Sequence, residues 1–395
     1  MRAILILVGA HMRFHVVIGG AGPVGLCLAR ALAAQGRRVA VVDRQPRAAL
    51  EAPAFDGREI ALTHASRQLL EALSLWPRLD ARTISPLRQA RVQDGVSPFA
   101  LDIGGGQDQG APLGWLVANH RLRQAAFEAA LAHPGVTLLD GAGVASLRRH
   151  PDRVEATLDD GLVLQADLLV AADGRLSALR RQLGVGAELH ELGRSMLVCH
   201  VAHAQPHHGV ALEWFAYGAT VALLPLTGAV SSLVLTLSPQ RAAAMLQLDE
   251  AAFSAEVSRL CEGRLGAMRL ASTRHVYPLV SSYARRLAGA RFALAGDAAV
   301  GMHPVTAHGF NFGLGGVRRL ADALDGHADA GDPAPLQAYA RAHRRATWPL
   351  YAATQLVARL YADERPGARL LRGGALRLAA AVPPFRQALQ HHLQH

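Results

Sequence analysis

FHVVIGGAGPVGLCLARALAAQGRRVAVVD, residues 14–43, decides the fold of this chain. Phe14 to Ile18 reads as a buried parallel strand and Leu26 to Gln35 as the helix after it, with the glycines between the two. In that setting Gly20 permits a tight turn, Gly22 lets the backbone approach a pyrophosphate, and Gly25 lets the helix lie close on the strand. A second strand, Arg38 to Val42, runs into Asp43-Arg44 about 18 residues past Gly25, where an acidic side chain holds ribose hydroxyls. The pattern predicts a dinucleotide cradle but does not separate NAD from FAD.

Two later segments narrow the choice. DLLVAADG, residues 167–174, is an apolar run ending in Asp173-Gly174, and RFALAGDAAVGMHPVTAHGFNFG, residues 291–313, runs into Gly296-Asp297 and then a Gly/Pro-punctuated turn opening a helix. A buried strand that ends this way delivers a carboxylate and a row of free backbone N–H groups. Together with the first cradle, these elements point to a flavin. No second convincing G-x-G-x-x-G appears, since Gly141-Ala142-Gly143 lacks the third glycine, so no dedicated nicotinamide domain is expected. The chain also lacks a G-x-S-x-G elbow, an H-E-x-x-H pair and paired Cys ligands, which argues against hydrolysis and against a metal. The cofactor must therefore carry the reaction.

Composition sets the remaining bounds. A chain of 395 residues suits one large or two interleaved domains, and no uncharged apolar run reaches the roughly 18 to 20 residues of a membrane span. Cys27, Cys199 and Cys261 are too scattered for a disulfide framework, which makes a reducing cytoplasm the default expectation. The net charge of +10 is spread over presumptive helices, and no nucleic-acid motif accompanies it, so no nucleic-acid partner is expected. The first twelve residues, MRAILILVGAHM, are short for a signal peptide; Met12 is a second candidate start, and the segment is set aside from fold reasoning.

With Arg175, Ser177 and Arg180 after it, Asp173-Gly174 resembles the Asp-Gly motif of the flavoprotein aromatic hydroxylases typified by para-hydroxybenzoate hydroxylase. Gly296-Asp297 resembles the second FAD motif of that family, and Pro304 to Asn311 its turn beneath the flavin ring. Asp56-Gly57-Arg58-Glu59-Ile60-Ala61-Leu62 is similar to the D-x-R-x-I-A-L segment of the ubiquinone-biosynthesis hydroxylases, and Val117 to Arg123 to their N-x-x-L-R segment. Val221 to Leu226, Ser231 to Val234 and Tyr277-Pro278-Leu279 also fit, and GMHPVTAHGFN, residues 301–311, looks most like the UbiM-like branch. The chain departs from the family at Val300, where a His is usual, and at Ala307-His308, where Gly-Gln is usual.

The resemblance, with the change from strand-helix alternation to consecutive strands near Glu188, implies an α/β fold. A Rossmann-like FAD-binding domain (13–187 and 285–360) is interrupted by an antiparallel β-sheet substrate domain (188–284) and followed by a C-terminal helical segment (361–395). Strands are expected at 196–202, 210–217, 220–225 and 231–238, and a helix at 249–261. The resemblance implies that Asp173 lies near the pyrophosphate, that Gly296 and Asp297 serve the ribityl chain, and that Arg58 and Arg121 contact FAD. It further implies that Ala307, His308, Gly309 and Asn311 approach the flavin ring, with Pro304 and His308 as catalytic candidates. Trp214, Phe215, Tyr217 and Leu224 are candidate substrate contacts.

In this family reduced flavin captures O2 as a C4a-hydroperoxide and transfers oxygen to a phenol ring. The reaction expected is hydroxylation of a polyprenyl-phenol precursor of ubiquinone, with NADPH or NADH as donor. Alternatives are hydroxylation of a soluble phenol, reduction of isoprenoid double bonds, and a non-catalytic assembly subunit. A large apolar slot open to the surface favours the quinone precursor, whereas a sealed cavity with an arginine for a carboxylate favours the soluble phenol. The apolar and basic stripes of residues 369–382 predict either a helix docked on its own domain or contact with the inner membrane or a ubiquinone-biosynthesis complex. The protein is expected as a monomer or homodimer, cytoplasmic or peripheral on that membrane.

Overall fold

The structure, a computed structural model, describes residues 11–95, 99–104, 111–216, 218–302 and 309–362. The cradle sequence folds as β1 (His11–Gly19), α1 (Pro23–Ala34) and β2 (Val39–Asp43). Next come α2 (Arg47–Glu51), β3 (Glu59–Leu62), α3 (His64–Ala72), β4 (Ser85–Leu87), β5 (Gln89–Asp94), β6 (Ala100–Gly104), β7 (Gly114–Ala118) and α4 (Asn119–Leu131). They lead through β8 (Val136–Asp140), β9 (Val144–Arg149), β10 (Val154–Leu158), β11 (Val163–Ala171) and α5 (Ala178–Gln182) to β12 (Ala187–His203), β13 (Val210–Ala216), β14 (Ala219–Pro225) and β15 (Val230–Leu237). The described chain finishes with α6 (Pro239–Gln247), α7 (Glu250–Leu260), β16 (Met268–Leu270), β17 (His275–Ala284), β18 (Ala288–Gly289), β19 (Phe292–Leu294), β20 (Val300–Gly301), α8 (Gly309–Leu324) and α9 (Pro333–Ala362).

Five strands run parallel in the order β19-β11-β1-β2-β8 at the centre of the first sheet. Val16, Ile18, Val39, Val41, Leu168 and Val170 face one apolar layer with Leu26, Leu32, Leu320 and Tyr339. Val17, Ala40, Leu169 and Ala171 face a second layer on the other side. A sheet covered on both faces explains why these strands read as unbroken apolar runs. Each fully buried Val, Leu or Ile contributes about 1.5–3 kcal/mol, so the cradle rests on rigid support. β1 begins at His11, with Met12 opposite Leu164, so the strand starts before the candidate initiator rather than after it.

The second sheet has the order β20-β17-β12-β15-β14-β13-β5-β6, with β16 alongside β12. The four strands expected near 196–238 are β12 to β15, and the expected helix is α7, whose cap Asp249 accepts the Ala252 N–H at 2.7 Å. One boundary differs from the expectation. β5 pairs parallel with β13, from Val210 opposite Gln89 to Phe215 opposite Asp94, so this sheet also draws on residues far upstream of 188. An edge strand leaves a row of unpaired N–H and C=O groups, and β5 supplies their partners. The tail segment 363–395 lies outside the described residues.

Candidate functional site

The end of β1 opens a cradle whose glycines are explained by space. Gly20 has φ +112°, and a Cβ there would meet the Ala172 carbonyl oxygen at 2.4 Å, so the turn lies directly against the Asp-Gly segment. A Cβ on Gly25 would lie 2.0 Å from the Gly20 oxygen, whereas one on Gly22 would meet nothing within 4 Å. Two of the positions are closed by backbone, and the third faces open space. The helix that starts there has no side-chain cap at Gly22, unlike α3, α5, α6 and α7, which Thr63, Ser177, Ser238 and Asp249 cap. An uncapped N-terminus beside an open hollow suits a pyrophosphate. Asp43 is held at the rim by the Ala21 N–H at 2.7 Å and the Gln45 N–H at 2.8 Å, while Arg44 is exposed.

The two later motifs meet through an arginine. Arg175, just after Asp173-Gly174, places a guanidinium N–H 3.1 Å from the Asp297 carboxylate and also donates to the Val280 and Met302 carbonyls. Asp173 accepts from Ser177 Oγ and from the Leu179 N–H at 3.0 Å, so it fixes the start of α5. Arg180 is buried and ties the same turn to the Ala298 carbonyl at 3.0 Å. On the other side, Gly296 and Gly313 both close on Val24 of α1, which brings β19, α8 and the glycine turn together. Asn311 donates to the Ala61 carbonyl at 2.8 Å and accepts from Ser66 Oγ at 2.7 Å, linking α8 to the end of β3. Gly309 is the first residue of α8. Pro304, Ala307 and His308 lie outside the described residues, as does Tyr217.

The D-x-R and N-x-x-L-R segments are joined at Asp56. Its carboxylate pairs with Arg58 at 2.6 Å and accepts from Asn119 Nδ2 at 2.7 Å, and Tyr277 OH donates to its carbonyl at 2.9 Å. Burial alone would raise this carboxyl, but the bonds from Arg58 and Asn119 outweigh it and hold the group below its usual value. Arg58 also stacks over the Tyr277 ring at 5.2 Å. Arg121 is exposed, and Arg123 reaches Gln45 at 3.4 Å. Beside this knot, Glu59 is almost fully buried, and burial raises its carboxyl against a bond to His200 Nε2 at 3.0 Å.

Period-two alternation divides the second sheet into two faces. Leu197, Cys199, Trp214, Val221, Leu223, Leu233 and Leu235 pack under α6 and α7 with Phe253 and Val257. Met196, His200, Glu213, Thr220, Leu224, Val234 and Thr236 occupy the opposite face and are only partly buried. That face carries the loop before β3, since Gly57 lies against Val198 and His275. Trp214 therefore corrects an expectation. It is 4 % exposed, its Nε1–H donates to the Gly95 carbonyl at 2.9 Å and Arg264 covers its ring, so it belongs to the core behind the sheet and not to a substrate surface. Phe215 and Leu224 are on the inner face.

A family model described as an FAD binding domain matches residues 13–354. The chain belongs to this family. The ubiquinone hydroxylase UbiM of Neisseria meningitidis is 38 % identical over 395 residues, covering 98 % of this chain and 86 % of that one. UbiL of Rhodospirillum rubrum is 36 % identical over 381 residues, covering 95 % and 88 %. Among solved structures, p-nitrophenol 4-monooxygenase PnpA from Pseudomonas putida superposes with a TM-score of 0.76 over 98 % of this chain and 99 % of that one, at 18 % identity, a likeness of fold. The chain is an FAD-dependent monooxygenase of the hydroxylase type. FAD fits the residues present: an added Cβ at Gly22 would meet nothing, α1 has no side-chain cap, Asp43 accepts from Ala21 in the same turn, and Gly296, next to Asp297, lies against Val24 of α1.

Proposed function

We propose that this protein hydroxylates the ring of a neutral, prenylated phenol, a precursor of ubiquinone, with O2 and with NADPH or NADH as electron donor. The observation that carries this reading is the character of the inner face of the sheet. Along β13 to β15, and from Met196 to His200 of β12, that face is partly open and largely apolar and bears no Lys or Arg. A ring carboxylate would find no cation on these strands, and Arg58, over Tyr277 beside them, is already paired with Asp56 at 2.6 Å, whereas an apolar tail would find Met196, Leu224 and Val234.

Bound FAD supplies the electron transfer and oxygen activation. In this reading Gly20, Gly22, Gly25 and the first turn of α1 would hold its pyrophosphate and Asp43 its adenosine ribose. Asp297, oriented by Arg175, would hold the ribityl chain. Asp173, Arg58, Arg121 and Asn311 would shape the walls around it, and the segment from Pro304 to Gly309 would adjoin the ring. The inner sheet face excludes water from the phenol and sets its orientation. The test is the absorption spectrum of the purified protein during NADPH or NADH addition, with and without 2-prenylphenol. Flavin bands that bleach faster with the phenol are expected, and a protein lacking flavin would contradict the reading.

Access to a lipid-dissolved substrate is the finer part of the proposal. No described helix is long and apolar enough to cross a membrane. Trp348 and Leu356 are exposed on α9, at 41 % and 70 %, just ahead of the basic tail. We place the protein on the cytoplasmic face of the inner membrane through this end. Flotation with anionic liposomes is expected to require residues 366–395, and undiminished flotation of the truncated protein would refute the placement.

A further inference from the structure

We propose that Glu213 is the residue that receives the phenolic hydroxyl of the substrate and accepts its proton during ring hydroxylation. The inference rests on the phenol-hydroxylase reading above. Glu213 is the one acidic side chain on the inner face of β13 to β15, placed opposite Ala222 of β14 and Val92 of β5 and between Ala211 and Phe215 on its own strand. It has no hydrogen-bond or ion-pair partner among the described residues, whereas Glu59, also on this side, is matched by His200 and Asp56 by Arg58. A carboxyl set among apolar neighbours without a partner costs stability, and such groups are ordinarily paired. The residue as a whole is only partly buried, so its partner can come from a molecule bound against this face.

The chemistry suits the position. Burial is the sole cause that pushes the Glu213 carboxyl up, to about 8. A base in that range is better matched to a phenol near pKa 10 than an ordinary carboxylate is. Other titratable groups toward this face are Asp94, diagonal to Glu213 on β5, His200, His275 and Tyr277 across the sheet, and Asp56, Arg58 and Glu59 of the segment laid over them. None of them contributes to the shift. In the step itself a ring carbon forms a C–O bond to one atom of O2 while the phenolic proton moves to Glu213. The ring carbon then loses its hydrogen, the phenol regains a proton, and the second oxygen atom leaves as water with electrons from the nicotinamide donor.

The experiment uses the oxidised FAD-loaded protein without turnover. Dissociation constants for 2-prenylphenol and its methyl ether, which cannot donate, are read from flavin absorbance between pH 6.5 and pH 9. The wild type is expected to gain about tenfold in preference for the phenol over the ether as Glu213 ionises, because the hydrogen bond becomes charge-assisted. In Glu213→Gln the preference is expected to be flat. Glu213→Leu is a second variant, with FAD content as the check on folding, and the wild-type profile needs no variant at all. A flat wild-type profile, or a Gln variant that keeps the rise, overturns the assignment. Failure of the underlying reading is distinguishable, since it appears as a wild-type protein that places no oxygen in any phenol.

Discussion

Along β13, Leu212 and Trp214 point behind the second sheet and Ala211, Glu213 and Phe215 point in front of it. Behind, the side chains from β12, β14 and β15 are buried to within a few per cent under α6 and α7. In front, partly accessible Met196, Thr220, Leu224, Val234 and Thr236 share the face with Glu213, an acid without a partner among the described residues. On the proposed reading the same strands carry stability on one face and recognition on the other, separated by a single residue of register. The difference teaches that an aromatic residue in the substrate sheet is no guide to substrate contact until its face is known.

The largest effect expected from this contrast is at Trp214. Trp214→Ala should destabilise the protein by about 3–5 kcal/mol, through the cavity and the lost bond to Gly95. Urea unfolding checks this; unchanged stability with weakened phenol binding would return Trp214 to the slot. Glu213→Gln should act in the opposite sense, and only at high pH. The folded-state value of Glu213, about 8, lies above the ordinary glutamate value. The fold therefore favours the protonated form, and ligand-free stability falls as pH rises from about 4.3 through 8. Removing the charge should leave stability near pH 4 unchanged and add stability that grows between about pH 4.3 and 8, to roughly 5 kcal/mol at most at pH 9. Thermal unfolding at the two pH values separates this from a uniform effect.

Smaller effects sharpen the contrast from its margins. Arg175→Gln removes the charged bond to Asp297 and should weaken FAD binding about tenfold in a fluorescence titration of apoprotein. Leu224→Ala, on the partly open face, should cost only about 1 kcal/mol of stability yet raise KM for 2-prenylphenol more than for unprenylated phenol. Equal losses for the two phenols would show that Leu224 does not meet the tail.

What the sequence made legible follows the range of the interactions involved. Gly20, Gly22 and Gly25 could be read because the turn is local; backbone closes in on Gly20 and Gly25, while Gly22 stands open. The α/β class, the four consecutive strands and α7 with its Asp249 cap were legible for the same reason. β5 joining β13 was not, because that pairing spans more than a hundred residues and leaves no local mark. Arg175 meeting Asp297 was likewise hidden, although its place directly after Asp173-Gly174 is a usable signal. Trp214 misled because a half-buried aromatic strand has two apolar sides and the sequence does not fix their phase. Glu213 passed unnoticed because a lone acid in a strand ordinarily marks a solvated face.

The central claim, that this chain oxygenates a phenol ring, is tested most directly by isotope. The FAD-loaded protein is incubated with NADPH, 2-prenylphenol and 18O2, and the product is weighed by mass spectrometry. The account predicts one atom of 18O in the ring product of each turnover. A product formed without 18O, or nicotinamide oxidation that yields only hydrogen peroxide, would contradict it.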